Sequence, residues 1–464
     1  MAEETASIPT QAAERDDSRS RRNAMLLMVN GVIGQMGMDF IHAELILAGM
    51  IYALTRSATM VALVTLISKA GVLAPQLFVG SWVEHLPRKR PVYFALLVAR
   101  GLVSALMIFT MVLLMDGVST LKLALFFASY LLLCVAMGSS GTVSSEILGR
   151  MIPIKRIGSF YGTRSFFGGI LATIAGTVVI QPILEQAAMP ANYVILAVIG
   201  CATMIFAMAI FAMAHEEDGP RARTPTTFAE SFRRGVEWFR TDHNYRTYIW
   251  LRGSFRVNYL GLAFFIPYGA EKLTTAGSAT NLAVLGGIMV ATVKLSRLLT
   301  GVAWGAVADR QGFRACFLWS GALFLAAPVL ALAAPYLPQA FDAAIPFTGV
   351  ALNLPLAVYL LGLAAVSAAF QADTIAGQRF LIGSAPPHRR ISYQGFCNTV
   401  TSPLTLLPLA GAWLAETFGI ASVFYLTTLG GIVYVAGALR IIPEHESMAR
   451  RDGAVADEIV AGGA

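Results

Sequence analysis

The sequence predicts an all-α membrane protein with twelve transmembrane helices in two six-helix bundles. Hydrophobic residues make up 56% of its 464 residues, whereas charged residues make up only 13%, about half the fraction found in soluble domains. Long apolar runs recur along the chain, and most reach the roughly 20 residues that a membrane-spanning helix needs. A polar stretch near the middle divides these runs into two equal sets. An ordinary water-soluble enzyme is therefore excluded, and we expect no enzymatic activity.

The apolar runs are the predicted spans, and short polar loops separate most of them. The twelve runs cover approximately residues 25–53, 58–81, 91–114, 120–144, 163–185, 192–214, 249–270, 279–303, 314–335, 353–376, 394–416 and 420–442. The stretch 336–352 is also fairly apolar, which predicts an ordered outer loop. The predicted domains are an N-terminal bundle over 23–214 and a C-terminal bundle over 249–443.

Basic residues in alternate loops orient the predicted spans. One set of loops contains Arg88, Lys89, Arg90, Arg150, Lys155, Arg156, Arg310, Arg314, Arg389 and Arg390, and the opposite set contains only Arg56, Lys122 and Lys272. Because Lys and Arg are retained on the cytoplasmic side, the pattern predicts a cell-membrane protein with both termini in the cytoplasm. The polar ends, 1–22 and 444–464, are the predicted cytoplasmic tails, and the first is expected to be disordered.

A cytoplasmic linker over 215–248 joins the predicted bundles. Within it, Phe228, Phe232, Val236 and Phe239 recur at helical spacing among arginines. This pattern predicts an amphipathic helix on the inner face of the membrane. A plain connector between two bundles is the simpler interpretation of this helix, and a regulatory role is the alternative.

Two loops, one in each half, carry the same signal about 225 residues apart. The loop after the second span contains Gly80, Glu84 and Arg88. The loop after the eighth span contains Gly305, Asp309, Arg310, Gly312 and Arg314. A second repeated pattern follows spans four and ten, where Pro153, Arg156 and Gly162 match Pro386, Arg389 and Gly395. Two six-span repeats in parallel orientation are a transporter architecture.

The segment Gly305–Arg314, GAVADRQGFR, resembles the loop signature of the major facilitator superfamily, Gly-x-x-x-Asp-Arg-x-Gly-x-Arg. Together with the span count and the central break, the resemblance covers nearly the whole chain. It implies two six-helix bundles, transport by alternating access, and a role for these loops in the conformational switch. The N-terminal copy departs from the signature, since Glu84 replaces Asp, His85 replaces Arg and Pro87 replaces Gly.

The motifs of proton-coupled drug exporters in that superfamily are incomplete here. The fourth span contains no arginine where an Arg-x-x-x-Gly motif is usual. The fifth span contains Phe166, Phe167, Gly168 and Gly169 without the proline of the usual Gly-Pro-x-x-Gly-Gly motif. Drug export is therefore weakened as an interpretation, and it stays open as an alternative.

Lys69 and Lys294 occupy equivalent places in the two repeats, each eleven residues before its loop glycine. Both fall near the middle of a predicted span, where an ionisable group is costly and marks a candidate site. Two lysines facing a cavity from opposite halves would attract one anion between them, and Arg256 in the seventh span is a candidate third contact. The arrangement resembles the paired basic residues of nitrate and phosphate-ester carriers in the superfamily, whose own signatures are absent. Pairing with nearby carboxylates, or snorkelling, is the structural alternative.

The first span contains three titratable residues, Asp39, His42 and Glu44. Asp39 and His42 are three residues apart and would share a helical face, whereas Glu44 would point elsewhere. A carboxylate near basic residues can bind and release a proton as its surroundings change, so Asp39 is the predicted proton carrier, with Glu44 and His42 as further candidates. A static ion pair with Lys69, or a place at the outer mouth for Glu44, is the alternative.

Further charges predict an inner gate. Arg252 lies one helical turn before Arg256, and Arg100 lies in the third span. Glu146 and Asp373 end the fourth and tenth spans on the same predicted side of the membrane. Bases and acids at one depth can form ion pairs that break when the cytoplasmic side opens.

Neither a cofactor nor a metal site is predicted. The four cysteines are far apart in the sequence, without a metal-binding or disulfide spacing, and no GxxxxGK[ST] loop is present. The net charge of +7 follows from the basic inner loops and requires no nucleic-acid partner. We expect a monomer whose partners are a small solute, protons and membrane lipids.

The most direct interpretation is a secondary transporter that moves a small anion, coupled to protons, by alternating access. A drug exporter would instead favour a wide apolar cavity with acids and few bases. A membrane sensor or assembly factor on the same scaffold would need no charges facing a cavity. An intramembrane enzyme would need clustered metal ligands or a nucleophile–base pair, and His42 is its best-placed mid-span histidine.

Overall fold

The computed structural model describes residues 8–83, 86–216, 227–273, 282–344, 351–385 and 390–443. Nearly all of these residues are helical, which confirms the predicted all-α fold of a multi-pass membrane protein. The helices are α1 (Ile8–Phe40), α2 (Ala48–Thr55), α3 (Ala58–Leu73), α4 (Pro75–Val83), α5 (Arg90–Met115), α6 (Thr120–Met151), α7 (Ile157–Ala175), α8 (Gln181–Gln186), α9 (Ala191–Ala212), α10 (Phe228–Thr241), α11 (His243–Leu273), α12 (Leu282–Ala333), α13 (Leu354–Ser384), α14 (Arg390–Thr401), α15 (Leu407–Phe418) and α16 (Ala421–Arg440).

Each predicted apolar run lies on one or two of these helices. Among the described residues, eight helical stretches are long and apolar enough to cross a membrane by length and composition alone. Several runs are interrupted within their length. Pro75 begins α4 directly after α3, since proline cannot donate the next hydrogen bond of a continuing helix. A π-helical turn, Ala43–Leu47, separates α1 from α2.

The eighth and ninth predicted spans join into the long helix α12 with one break. Gly312 has φ 80° inside it, in the left-handed region that glycine enters without steric cost. The break therefore falls within the loop motif that begins at Gly305, and it separates the two predicted spans.

The described chain divides into two compact units. Unit 1 comprises Met1–Pro153, Phe167–Ser231 and Pro387–Gly395, and unit 2 comprises Ile154–Phe166, Phe232–Pro386 and Phe396–Ala464. These units differ from the predicted bundles, 23–214 and 249–443, because the beginning of α7 groups with unit 2 and the beginning of α14 groups with unit 1. The predicted domain bounds therefore follow the chain, whereas packing exchanges one short segment from each half.

The cores of the two units differ in chemistry. Unit 1 packs methionines and cysteines with aliphatic residues, including Met50, Met107, Cys134, Cys201 and Met204. Unit 2 is built around aromatic contacts, where Phe370 lies within 5.2 Å of the rings of Phe255, Tyr259 and Phe324.

Part of the predicted N-terminal tail and part of the predicted outer loop form regular secondary structure. Helix α1 begins at Ile8, inside the predicted disordered tail 1–22, because alanines, glutamate and arginines are good helix formers that extend the spanning helix outward. Residues 1–7 and the predicted tail 444–464 lie outside the described residues. In the predicted outer loop, strands β1 (Asp342–Ala344) and β2 (Ala351–Asn353) pair antiparallel.

The linker contains the predicted helix, α10. A reciprocal cap starts it, since the Glu230 backbone N donates to Thr227 Oγ1 and the Thr227 N donates to Glu230 Oε2, as in a capping box. The rings of Phe232 and Phe396 have centroids 5.3 Å apart, and a Cβ on Gly235 would overlap the Phe396 ring. One face of α10 therefore packs on α14, and its place on a membrane stays a prediction.

Candidate functional site

The predicted loop motif of unit 2 forms a compact polar contact around Asp309. Asp309 Oδ1 accepts a hydrogen bond from the backbone N of Gly158 at 2.8 Å, and Oδ2 accepts one from Ser159 N at 2.7 Å. Because α7 begins at Ile157, the carboxylate lies at the positive end of that helix, where free N–H groups favour an anion. Arg379 Nη1 on α13 donates to Asp309 Oδ1 at 2.8 Å. Asp309 therefore joins α7, α12 and α13.

Glycine at position 305 allows this contact. Gly305 is one helical turn before Asp309, on the same face of α12. A Cβ built on Gly305 would lie 2.6 Å from the carbonyl oxygen of Gly158, a distance that no side chain tolerates against backbone. A Cβ on Gly158 would meet the carbonyl oxygen of Gly305 at 2.6 Å. The two helices therefore touch backbone to backbone beside the carboxylate.

The basic residues of the motif surround this contact. Arg310 is exposed and lines a cavity of about 660 Å³ together with Lys155, Arg314 and Arg379. Arg314 Nη2 donates to the carbonyl oxygen of Leu439, at the end of α16, at 3.4 Å. The bases therefore link the loop to neighbouring helix ends as well as satisfying the predicted charge pattern.

Unit 1 repeats the close helix approach with different atoms. A Cβ on Gly80 would lie 2.7 Å from the Cγ2 atom of Ile391, and a Cβ on Gly395 would lie 2.8 Å from the Cα atom of Leu77. These contacts join α4 to the first turns of α14. Glu84, which the sequence aligns with Asp309, lies outside the described residues, and Arg88 is exposed.

An acid that the sequence analysis missed caps α5 in unit 1. Glu216 accepts hydrogen bonds from the backbone N of Lys89 at 2.8 Å and of Arg90 at 2.6 Å. Arg150 Nη1 lies 3.5 Å from Glu216 Oε1, and Arg150 Nη2 lies 3.0 Å from Glu146 Oε1. Glu216 belongs to the predicted linker over 215–248, and the sequence analysis assigns it no role. Its position directly after the sixth span was the one available signal.

A pair of asparagines, also missed, makes the same clamp in both units. The Asn23 side chain accepts from the backbone N of His215 at 3.0 Å and donates to its carbonyl oxygen at 2.9 Å. The Asn244 side chain accepts from Ile442 N at 2.8 Å and donates to its carbonyl oxygen at 3.5 Å. Each clamp ties the start of the first spanning helix of its half to the end of the sixth.

Buried charges in unit 2 form a cluster inside the predicted spans. Asp373 on α13 is fully buried and pairs with Arg252 of α11. Tyr434 on α16 donates to the second oxygen of Asp373 at 2.6 Å, and the Arg252 guanidinium lies 4.5 Å from the centre of the Phe255 ring. Arg256 Nε is buried and has no hydrogen-bond partner among the described residues.

Lys69 lies on α3, directly before the helix α4 that carries Gly80, whereas Lys294 lies on α12 together with Gly305. Lys69 on α3 is half-buried in unit 1, and Lys294 on α12 is exposed in unit 2. Lys294 precedes Gly301 and Gly305 by about two and three helical turns, so the three share a face of α12. A Cβ on Gly301 would lie 3.3 Å from the carbonyl oxygen of Gly162 on α7, which identifies the partner of this face.

The titratable residues of the first span lie at the end of α1 and in the break that follows it. The α-helical assignment ends at Phe40, and the π-helical turn begins at Ala43. Asp39 is half-buried in the last turn of α1, and His42, which lies in the break, donates its backbone N–H to the carbonyl oxygen of Asp39 at 3.4 Å. The π-helical turn was not predicted, because it contains neither glycine nor proline, and the shared face of Asp39 and His42 stays a prediction. Glu44 lies within the π-helical turn, and its side chain lies outside the described structure.

Arg100, predicted as part of the inner gate, is held by sulfur in unit 1. It is 7% exposed, and its Nη1 and Nη2 atoms lie 3.4 and 3.3 Å from the sulfurs of Met208 and Met204. Glu146, the acid predicted for the same gate, pairs with Arg150. Within the part of the chain that the structure describes, no three His, Cys, Asp or Glu side chains are grouped to hold a metal ion.

Comparison with known proteins identifies the fold through structure alone. No protein-family model matches the sequence, and a search of curated proteins finds no match. A bacterial homologue of the iron transporter ferroportin, in an outward-facing state, superposes with a TM-score of 0.70 at 13% identity, covering 90% of this chain and 99% of that one. The human organic anion transporter MFSD10 gives a TM-score of 0.65 at 14% identity, covering 91% and 99% of the two chains.

A third solved structure carries the family name in its description. It is the major facilitator superfamily proton:xylose symporter XylE, with a TM-score of 0.61 at 12% identity, covering 92% of this chain and 97% of that one. At such identities the likeness concerns architecture. The helices, the repeated loops and these superpositions agree, and the chain has the fold of the major facilitator superfamily.

Proposed function

We propose that this protein is a secondary transporter that moves a small anionic solute across the cell membrane by alternating access, coupled to protons. Its fold supports a transport role, because the solved structures that share it over nine-tenths of the chain are described as transporters. One of these proteins is described as an organic anion transporter and another as a proton symporter. These descriptions support the proposed class of solute and of coupling ion.

The observation that carries the anion proposal is the surplus of positive charge around Asp373. Arg252 and Tyr434 already bond to its two oxygens, while Arg256 follows one turn after Arg252 with a buried Nε that no described acceptor satisfies. A buried N–H donor without a hydrogen-bond acceptor is costly. An anionic solute would satisfy it, so Arg256 is the proposed contact in unit 2, with Lys69 and Lys294 as the proposed contacts that the internal repeat relates.

Proton coupling is proposed for the break between α1 and α2. Asp39 is half-buried beside this break, with His42 within it and Glu44 in the following π-helical turn. Such turns often occur at functional positions, since they disturb the regular hydrogen-bond ladder. A carboxylate here can exchange a proton as the surrounding helices rearrange, with Asp39 as the first candidate and Glu44 as the next.

The loop contacts are the proposed conformational switch. Asp309 holds three helices of unit 2 through two backbone N–H groups and Arg379. Breaking and reforming such charge-assisted bonds is a known way to change between two discrete packings. The ion pair of Arg252 and Asp373 is proposed to take part in the same change. Arg100 and Glu146, which lie on α5 and α6 and contact other residues, are proposed to take part as well.

Transport by purified protein in liposomes tests this proposal. Uptake of phosphate, sulfate and small carboxylates would be measured with and without an inward proton gradient, beside a cationic drug. We expect one class of anion to accumulate with the gradient. Arg256→Gln should reduce that uptake about tenfold, the effect of losing one charge-assisted hydrogen bond. Arg240→Gln, which removes an exposed arginine from α10, is the matched control.

Three results would count against parts of the proposal. Uptake of the drug without any anion would favour efflux of apolar cations. Unchanged anion uptake in Lys69→Ala and Lys294→Ala would remove the lysines from the binding site. If uptake in Asp39→Asn still depends on the proton gradient, a group other than Asp39 carries the proton.

A further inference from the structure

One face of α11 in unit 2 combines cationic, aromatic and small side chains, at Arg252, Arg256, Tyr259 and Ala263. Successive members are four, three and four residues apart, so they lie above one another on one side of the helix. The opposite side of α11 carries Trp250, which is 61% exposed, as is usual for an aromatic side chain at the edge of a membrane. The face with two arginines therefore lies toward the protein, where Arg252 pairs with Asp373.

Arg256 is the cation on this face whose bonding by the protein is incomplete. Arg252 is occupied, since it pairs with Asp373 and lies 4.5 Å from the centre of the Phe255 ring. Arg256 lies within electrostatic range of Asp373 and Tyr259, but its buried Nε has no hydrogen-bond acceptor among the described residues. Because a buried donor without an acceptor is costly, a carboxylate that accepts two parallel hydrogen bonds from this guanidinium would be stabilised.

Tyr259 is the half-buried end of an aromatic cluster. Its ring centre lies 5.2 Å from that of Phe370, which in turn lies 5.2 Å from the ring centre of Phe255 and 5.0 Å from that of Phe324. Each of these three contacts is edge to face. The three phenylalanines are buried, whereas Tyr259 is half-buried. The cluster therefore fixes the Tyr259 ring in place and leaves part of it exposed.

Ala263 provides room beside the exposed part of this ring. It follows Tyr259 by one helical turn and is exposed, and its methyl group occupies little of the space above the helix. Three residues raise an α-helix by about 4.5 Å, so Arg256 and Tyr259 can contact two parts of one small molecule. A carboxylate attached to a six-membered ring is of a size to contact both, with its ring above Ala263.

Unit 1 lacks this combination at the corresponding place. Counted from the clamp asparagine of each unit, the residues that correspond to Arg256 and Tyr259 are Gln35 and Met38. Both are exposed, but neither supplies a cation or an aromatic ring. The internal duplication therefore does not account for the arginine and the tyrosine of unit 2.

We propose that this face of α11 binds an aromatic carboxylate, a small molecule whose carboxylate group is joined to a single aromatic ring. The carboxylate would accept hydrogen bonds from Arg256, and the ring would pack against Tyr259 above Ala263. Contact between aromatic rings is favourable beyond the area that it buries, so the site prefers an aromatic ring to an aliphatic ring of similar size. The inference rests on the proposed transport of an anion and names the class of solute.

Equilibrium binding of benzoate and of cyclohexanecarboxylate to the purified full-length protein tests the site. At about pH 7 both ligands are ionised carboxylates, and both have six-membered rings, so they differ mainly in aromatic character. We expect benzoate to bind about fivefold more tightly, which corresponds to about 1 kcal/mol. Arg256→Gln should weaken the binding of both ligands about tenfold. Tyr259→Leu should weaken benzoate alone, by about fivefold, whereas Tyr259→Phe should keep the preference.

Two further variants separate the contact from the fold. Tyr425→Leu removes a tyrosine of α16 that is 62% exposed, and this matched control should bind both ligands as the original protein does. Ala263→Leu keeps the guanidinium and the ring but fills the space above the helix, so it should weaken the binding of both ligands. A thermal unfolding midpoint in detergent close to that of the original protein would show that Ala263→Leu folds.

The outcomes distinguish this inference from the proposed function. Equal binding of the two ligands to the original protein would overturn the aromatic site, and so would a preference for benzoate that survives Tyr259→Leu. If phosphate or acetate binds in a manner that depends on Arg256 while benzoate does not bind, the aromatic site is wrong and the proposed anion transport stands. If Arg256→Gln leaves the binding of every anion unchanged, the Arg256 contact of the proposed function is wrong as well.

Discussion

The two units both place a carboxylate at a helix N-terminus near the repeated loops, but they take it from different parts of the chain. In unit 2, Asp309 from the loop motif caps α7 and holds Arg379. In unit 1, Glu216 from the linker caps α5 and approaches Arg150. The position that corresponds to Glu216 in the second half is Pro443, which has no carboxylate. Both halves therefore have a carboxylate that caps a helix N-terminus, but the residue that supplies it comes from a different place in each half.

This difference makes the two acids unequal in what their removal exposes. Arg379 is 5% exposed, and its Nη1 atom pairs with Asp309 at 2.8 Å. Arg150 keeps two partners when Glu216 is removed. Its Nη2 atom lies 3.0 Å from Glu146 Oε1, and its Nη1 atom donates to the carbonyl oxygen of Pro87. The unit 2 contact thus joins a carboxylate to a buried cation, whereas the unit 1 contact is a network in which two acids lie near Arg150.

The largest expected effect is the loss of Asp309. Asp309→Ala should destabilise the protein by about 3 kcal/mol, since it leaves Arg379 as a buried charge without this partner, while Glu216→Ala should cost about 1 to 2 kcal/mol for a lost helix cap. Thermal and denaturant unfolding in detergent would measure both. Adding Arg379→Leu to Asp309→Ala should restore part of the loss. Equal costs for the two acids would break the comparison.

The loop glycines provide a sharper version of the same contrast. Gly305→Ala would direct its methyl at the Gly158 carbonyl oxygen, which is backbone, whereas Gly80→Ala would meet the end of the Ile391 side chain. We expect about 2 kcal/mol for Gly305→Ala, in the range of overpacking, and a smaller cost for Gly80→Ala because a side chain can move. Gly287→Ala, where a Cβ meets nothing within 4 Å, is the control. A larger cost at Gly80 than at Gly305 would contradict this assignment.

The smallest expected effects concern the asparagine clamps, where the two units are alike. Asn23→Ala and Asn244→Ala should each cost about 1 kcal/mol or slightly more, the net value of a typical hydrogen bond. Their effects should add in the double variant, since distant sites without shared partners act independently. Unfolding midpoints of the two single variants and the double variant would check this. A strongly unequal pair would show that the clamp is a repeat in geometry only.

The helices could be predicted from the sequence because each depends on a local apolar run. Asp309 could be predicted as well, since it belongs to a motif with a glycine one turn before it. Its partners Gly158 and Ser159 could not be predicted, because they contribute backbone N–H groups, which every residue except proline has. Glu216 was missed for the same reason, because the groups that it caps are the backbone N–H groups of Lys89 and Arg90.

Charges inside the spans were recognised more readily than their surroundings. Arg252 and Asp373 were singled out together, and the structure pairs them. Arg100 was placed in an ionic gate, but its neighbours are Met204 and Met208, which appear in a sequence as ordinary apolar residues. The break after Asp39 was not predicted, because nothing in the neighbouring sequence marks the π-helical turn that follows.

The clamps of Asn23 and Asn244 have a consequence for how the two halves of the chain can diverge. Each asparagine amide forms these hydrogen bonds only with the main-chain N–H and C=O groups of its target. The side chains at these targets, an imidazole at His215 and a branched alkyl group at Ile442, therefore have nothing in common and need nothing in common. The duplication persists here as the contact between an asparagine side-chain amide and the main chain of its target. A comparison of the residue types at the two targets cannot detect it.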